Sequence, residues 1–203
     1  MKLIRVLLVH DAGLLRSGLE ALVSKAHDMT IETAGWSRSL PATRTTPADV
    51  CVMDTEGLRD SALDELAAAL RRAGAKGSRM LALADADRPG ALRRALDAGV
   101  LGFLDRNATP DRLLTGIRNV AQGKRFVDES LALAFLRASE MPLTARELAV
   151  LKVAAEGAGI DEIARDLSLS GGTVRNYMAA ITRKTGARNR VDAIRISQRA
   201  GWL

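Results

Sequence analysis

The chain has 203 residues, a hydrophobic share of 47%, and 30 Lys/Arg against 24 Asp/Glu, which gives a formal charge of +6 and a pI near 10.1. That length holds one large domain or two small ones, and no apolar run reaches the about eighteen residues of a membrane span. The opening "KLIRVLLV" lacks a cleavage site for a leader, and a lone Cys51 with only His10 and His27 excludes an internal disulfide and speaks against a zinc centre, so a cytoplasmic protein is expected.

In chain order, "LIRVLLV" is a near-continuous apolar run and predicts a buried parallel strand. A helical pattern follows, placing Leu14, Leu15, Gly18, Leu19, Leu22 and Val23 on one inward face. "MTIETAG" and "ADVCVMD" predict the second and third strands, and two prolines in "WSRSLPATRTTPAD" make the helix between them short or irregular. Leu58 to Arg72 reads as a helix, "RMLALA" as a fourth strand, "RPGALRRALDAG" as a helix, and "VLGFL" as a fifth strand. Thr109-Pro110-Asp111 is a helix start, with an N-cap, an N1 proline and an acid facing the dipole. Leu113, Leu114, Ile117 and Val120 supply its inward stripe. Five strand–helix alternations predict a doubly wound, five-stranded parallel sheet covered by helices on both faces. The expected divisions are 1–122 for this α/β domain, 123–142 for a linker or connecting helix, and 143–203 for an all-α, four-helix domain.

In that last block Thr144 and Glu147 form a capping box before a helix with Leu148, Leu151 and Ala155 inward. "IDEIARDL" is a short second helix, and Ser170 caps a third whose inward face is Val174, Tyr177, Met178 and Ile181. Gly186 ends it, and Asn189 starts a fourth with Val191 and Ile194 inward. From Ser170 onward there are seven basic residues against only Asp192, a one-sided charge that points to a polyanion such as double-stranded DNA.

Two short helices joined by a tight turn, the second basic outside, describe helix-turn-helix recognition. Arg175, Asn176 and Ala179 fall on the outward positions of the third helix, with chemistry suited to guanine, adenine and a thymine methyl. Ser170, Thr173, Arg183, Lys184, Arg188 and Arg190 are the candidates for phosphate contacts, which fix register without reading sequence.

The segment "LTARELAVLKVAAEGAGIDEIARDLSLSGGTVRNYMAAITRKTGARNR" resembles the LuxR-type helix-turn-helix of NarL/FixJ response regulators, through Leu143-Thr144-x-Arg146-Glu147, Glu162-Ile163-Ala164 and Thr173-Val174-Arg175 above all. The resemblance implies that the third helix enters the major groove with Arg175 and Asn176 at base-contacting positions. It also implies that the fourth helix contributes to a homodimer. Ala179 stands where relatives often carry a basic residue.

With that tail, residues 1–122 resemble a receiver domain, whose site lies at the carboxyl ends of the strands. The resemblance makes Asp54 the candidate phosphoacceptor, and it also shows what the site lacks. His10-Asp11 occupies a corner where two acids would help hold Mg2+, and an imidazole is a poor substitute for a carboxylate there. Ala84 has no hydroxyl for a phosphoryl group, Arg106 replaces a compact lysine ammonium, and "DTEGLRD" replaces the usual Pro-Gly turn. Asp85 and Asp105 are near enough to leave room for a weak Mg2+ site, and Arg106 has two candidate ion-pair partners, Asp54 and Asp11.

The expected function is therefore a sequence-specific DNA-binding transcriptional regulator acting as a homodimer without normal aspartyl phosphorylation, controlled through expression level, dimerisation or a small-molecule effector. The alternative is a conventional response regulator phosphorylated at Asp54 by a histidine kinase. An enzyme is disfavoured: there is no G-x-G-x-x-G or Walker loop, and no catalytic set.

Overall fold

The computed structural model describes residues 3–45, 48–55, 60–73, 79–139 and 141–203. It divides into two compact units, one of Met1–Ala86 with Leu92–Leu133 and one of Asp87–Ala91 with Ala134–Leu203. The first carries strands β1 (Ile4–Val9), β2 (Met29–Ala34), β3 (Val50–Asp54), β4 (Arg79–Ala84), β5 (Gly102–Asp105) and β6 (Phe126–Val127). Helices α1 (Gly13–Ser24), α2 (Trp36–Thr45), α3 (Asp60–Ala73), α4 (Pro89–Asp97) and α5 (Pro110–Ala121) alternate with them.

The sheet runs β2-β1-β3-β4-β5-β6, parallel at every pairing. This is the doubly wound sheet expected from the strand pattern, with one strand more. The sixth pairs Phe126 with Gly102 and Val127 with Phe103, in the stretch expected to be linker. Two residues are too few to show a strand period. The predicted helix start at Leu58 and the segment after Thr55 lie outside the described residues.

Apolar strands follow from burial on both faces. Val6, Leu8, Val50, Val52, Leu81, Leu83 and Leu104 pack with Val23 of α1 and Leu113, Ile117 and Val120 of α5. Their alternates, Leu7, Val9, Cys51, Met53, Ala82 and Phe103, are also buried. The prolines leave α2 ten residues long with Pro41 inside it.

Helix α1 departs from its expected face. Only Val23 is buried; Leu19 and Leu22 are half-buried, Leu15 is 51% exposed and Leu14 is 88% exposed. At 3.6 residues per turn Leu14 lies about 180° around the helix from Val23, so both cannot face the core.

The second unit contains α6 (Ala132–Ser139, which begins in the first unit), α7 (Ala145–Ala155), α8 (Ile160–Asp166), α9 (Gly171–Thr185) and α10 (Arg190–Arg199). Its core joins Leu143, Val150, Leu151 and Ala154 to Ile163, Val174, Ile181 and Ala193. The capping box forms as expected: the Thr144 hydroxyl accepts from the Glu147 N–H at 3.3 Å and the Glu147 carboxylate from the Thr144 N–H at 2.7 Å. In α10, Ala193 and Ser197 turn inward, and Val191, two residues or about 200° from Ala193, is 74% exposed instead of buried.

The turn between α8 and α9 carries Ser168 at φ +54°, the left-handed region that disfavours a side chain. Ser168→Gly is expected to raise stability by about 1 kcal/mol in urea melts; an unchanged or lower midpoint would contradict the strain.

Candidate functional site

Two places gather the residues nominated from sequence. The first is the outer surface of α9. The Ser170 hydroxyl accepts the Thr173 N–H at 3.1 Å and shares a 2.8 Å hydrogen bond with the Thr173 hydroxyl, closing the helix start. Gly186 closes the other end at φ +66°, a conformation that glycine adopts without a Cβ clash. With Val174 and Ile181 fully buried, the helical period turns Arg175, Ala179 and Arg183 outward in one i, i+4 row, with Asn176 beside it, and all four are exposed.

The basic residues divide into two groups. Arg175 and Arg183 show no ion pair among the described residues. Lys184, by contrast, places its ammonium 2.7 Å from the buried Glu147 carboxylate, tying α9 to the start of α7. Arg190 donates to the Ala154 and Ala158 carbonyls at the end of α7 and the turn beyond, and Arg188 pairs with Asp192 at 3.1 Å, with Arg195 on the other oxygen at 3.0 Å. The sequence reading placed Lys184, Arg188 and Arg190 at phosphates and missed these structural roles. Glu147 and Lys184 are 37 residues apart, so no local spacing announces their contact.

Glu147 feels opposing influences. Burial pushes its carboxyl up, but the Lys184 ammonium and the Thr144 N–H together outweigh it and hold the group below the ordinary glutamate value of 4.5.

The second place is the carboxyl edge of the sheet. Asp54 ends β3 and is 4% exposed; His10 follows β1 and is 6% exposed. His10 Nε2 lies 3.2 Å from Asp54 Oδ2, and an Arg106 guanidinium nitrogen lies 3.3 Å from the same oxygen. His10 Nδ1 accepts the Ala12 N–H at 3.0 Å. The Ala12 N–H on Nδ1 fixes the ring so that Nε2 faces the Asp54 carboxylate. Arg16 further fixes the corner by donating to the His10 carbonyl at 2.7 Å.

Asp11 turns the other way and accepts the Trp36 N–H at 2.7 Å, at the start of α2. Of its two candidate partners, Arg106 therefore takes Asp54. Asp105 is likewise engaged, accepting from the Asn107 N–H at 2.8 Å and the Ser130 hydroxyl at 2.7 Å. Ala84 is buried, and its carbonyl accepts the Arg106 N–H at 3.0 Å. Among the described residues no three His, Cys, Asp or Glu side chains gather to hold a metal. Mg2+ favours a near-octahedral set of oxygens, and the His10 imidazole facing Asp54 occupies that corner. The corner therefore lacks one carboxylate of the acidic pair that the receiver resemblance expects, and Asp105 is already engaged by Asn107 and Ser130.

The pattern of the GerE family of bacterial regulatory proteins, the luxR family, matches residues 141–197, which span α7 to α10 almost entirely. Over its whole length the chain is 50% identical to the response regulator RamR of Streptomyces coelicolor, covering 99% of this chain and 98% of that one. The chain belongs to the NarL/FixJ family of response regulators. This response regulator is also 34% identical to the transcriptional regulatory protein DesR of Bacillus subtilis, over 99% of this chain and 100% of DesR. The crystal structure of ChrA, a response regulator of a heme-sensing two-component system, superposes with a TM-score of 0.56 at 27% identity, covering 100% of both chains. No described helix of the regulator is long and apolar enough to cross a membrane.

Lys184→Ala leaves the buried Glu147 carboxylate without its cation and is expected to lower stability by about 1–3 kcal/mol. Because the folded Glu147 titrates below its unfolded value, its stabilisation is fully present above about pH 4.5 and is lost as pH falls through the lower folded value. Urea melts near neutral and near acid pH test this: the gap between wild type and variant should narrow on the acid side, and a gap independent of pH would contradict the pairing.

Proposed function

We propose that this DNA-binding transcriptional regulator reads double-stranded DNA as a homodimer and does so without phosphorylation of Asp54. The observation that carries the second part is that the His10 imidazole and the Arg106 guanidinium both stand on one oxygen of a buried Asp54. Phosphoryl transfer depends on positioning and on cations that neutralise developing charge. Here an imidazole and a guanidinium crowd one oxygen of the carboxylate that would attack. The imidazole also stands where the ion would bind, and Ala84 offers no hydroxyl to follow the phosphoryl group.

On the DNA side, Arg175 and Asn176 contact base edges in the major groove, and the methyl of Ala179 lets α9 approach closely. Arg183 with Ser170 and Thr173 at the start of α9 contacts phosphates, and Lys184, Arg188 and Arg190 add positive potential while holding the helices in place. A two-fold dimer then reads inverted half-sites separated by about 34–36 Å, one helical turn. The exposure of Val191 on α10 supports a contact between copies at that helix.

The alternative, a regulator phosphorylated at Asp54 by a histidine kinase, draws support from the position of Asp54 at the end of β3. Incubation with acetyl phosphate and Mg2+ followed by intact-mass analysis separates the two. No phosphoryl adduct is expected, whereas a stoichiometric adduct absent from Asp54→Asn selects the conventional mechanism. For the DNA reading, Arg175→Ala is expected to weaken binding to the preferred duplex by about 1–3 kcal/mol and relax selectivity at one position. Unchanged selectivity in a random-duplex selection would contradict the placement of α9.

A further inference from the structure

The second unit takes in a short piece of chain from far upstream. Asp87–Ala91, which leads into α4, groups with Ala134–Leu203. What it meets there is the end of α10. The Gly90 N–H donates to the Ala200 carbonyl at 2.8 Å, and an Arg88 guanidinium nitrogen donates to the Gln198 carbonyl at 3.4 Å.

The two helix ends complete each other. Gly90 is the second residue of α4, so its N–H finds no acceptor within its own helix, and the carbonyl of Ala200, just past α10, finds no donor within that one. The pairing satisfies both groups and sets the positive end of one helix dipole against the negative end of the other. The approach is too close for a side chain. A Cβ at Gly90 would collide with the Gly201 carbonyl and stand 2.7 Å from Trp202 Cδ1. Gly201, at φ +70°, turns the chain so that the Trp202 N–H reaches back to the Ser197 carbonyl at 2.9 Å. Trp202 and Leu203 then pack against the core of Val150, Leu151, Ile163 and Val174. With the segment in place, Arg175, Asn176, Ala179 and Arg183 of α9 all remain exposed, so the contact does not cover the reading face.

We propose that Asp87–Ala91 is a positioning element of the DNA-binding unit. By holding the end of α10 and the tail beyond it, the segment orients that helix for the contact between copies that two-fold DNA reading requires. The role rests on the dimeric DNA-binding reading above. It gives Gly90 and the Ala200–Trp202 turn, all outside the matched residues 141–197, a part in DNA affinity.

Trp202 reports the contact directly, because Trp36 is the other tryptophan and Trp36→Phe leaves Trp202 as the sole indole. In the full-length Trp36→Phe chain, adding Gly90→Ala is expected to raise acrylamide quenching of Trp202 at least twofold and to weaken binding to the preferred duplex at least fivefold, with circular dichroism melts confirming folding. Alanine is the better helix former, so without the contact the substitution would leave Trp202 unchanged and α4 no weaker. Unchanged quenching in the folded variant overturns the contact. Raised quenching with unchanged affinity overturns the positioning role, and tighter binding overturns it too, by making the contact a restraint on DNA binding. If Gly90→Ala does not fold, Arg88→Glu, which sets a carboxylate against the Gln198 carbonyl, replaces it in both assays with the same outcomes. A wild-type chain that selects no duplex removes the DNA reading and this role with it, while the Trp202 readout still decides the contact.

Discussion

A carboxylate at the end of a strand covered on both faces cannot be left to water, and the protein itself must supply its donors. In this regulator the His10 imidazole and the Arg106 guanidinium both stand on the same Asp54 oxygen. Much of the sheet's carboxyl edge is arranged to allow this. The Ala12 N–H fixes the His10 ring, Arg16 holds the His10 backbone, and Asp11 is drawn off to the start of α2, where it does not compete for Arg106. Ser130 and the Asn107 N–H hold Asp105 at the other side. Each acidic group of this edge thus has its own partner, and satisfied polar networks favour a single arrangement.

The helix-turn-helix unit applies the same physics to a different end. Its basic residues are not one undifferentiated patch. Lys184 neutralises the capping-box carboxylate, Arg190 satisfies carbonyls at the end of α7 and in the turn after it, and Arg188 and Arg195 share Asp192. These contacts tie α9 and α10 to α7, while the row Arg175, Ala179, Arg183 stands on an exposed face.

How much was legible in the sequence depended on how local the physics was. The long apolar strands, the capping box at Thr144, the Ser170 cap and the Gly186 stop follow from short-range pattern and appear where expected. Strand β6 did not show, because two residues between Arg125 and Asp128 carry no period. Leu14 and Val191 were placed inward because apolar character was read as burial; a helix with apolar residues on more than one side cannot bury all of them, and phase decides which are left out. His10, Asp54 and Arg106 were each nominated singly, yet whether Arg106 would choose Asp54 or Asp11 depended on the Trp36 N–H, which only the folded sheet brings to Asp11. The Glu147–Lys184 pair was invisible for the same reason: it is made by helix packing across 37 residues.

The central claim is that the His10–Asp54–Arg106 arrangement replaces a phosphorylation switch, and DNA binding by the unmodified protein tests it most directly. A duplex selected from random sequences would be titrated with the purified chain, with and without Mg2+ and beryllofluoride, a mimic of the phosphoryl group. The account predicts tight, sequence-dependent binding whose affinity is the same in both conditions. Binding that appears or strengthens at least tenfold only with the mimic would show that Asp54 still accepts a phosphoryl group and would contradict it.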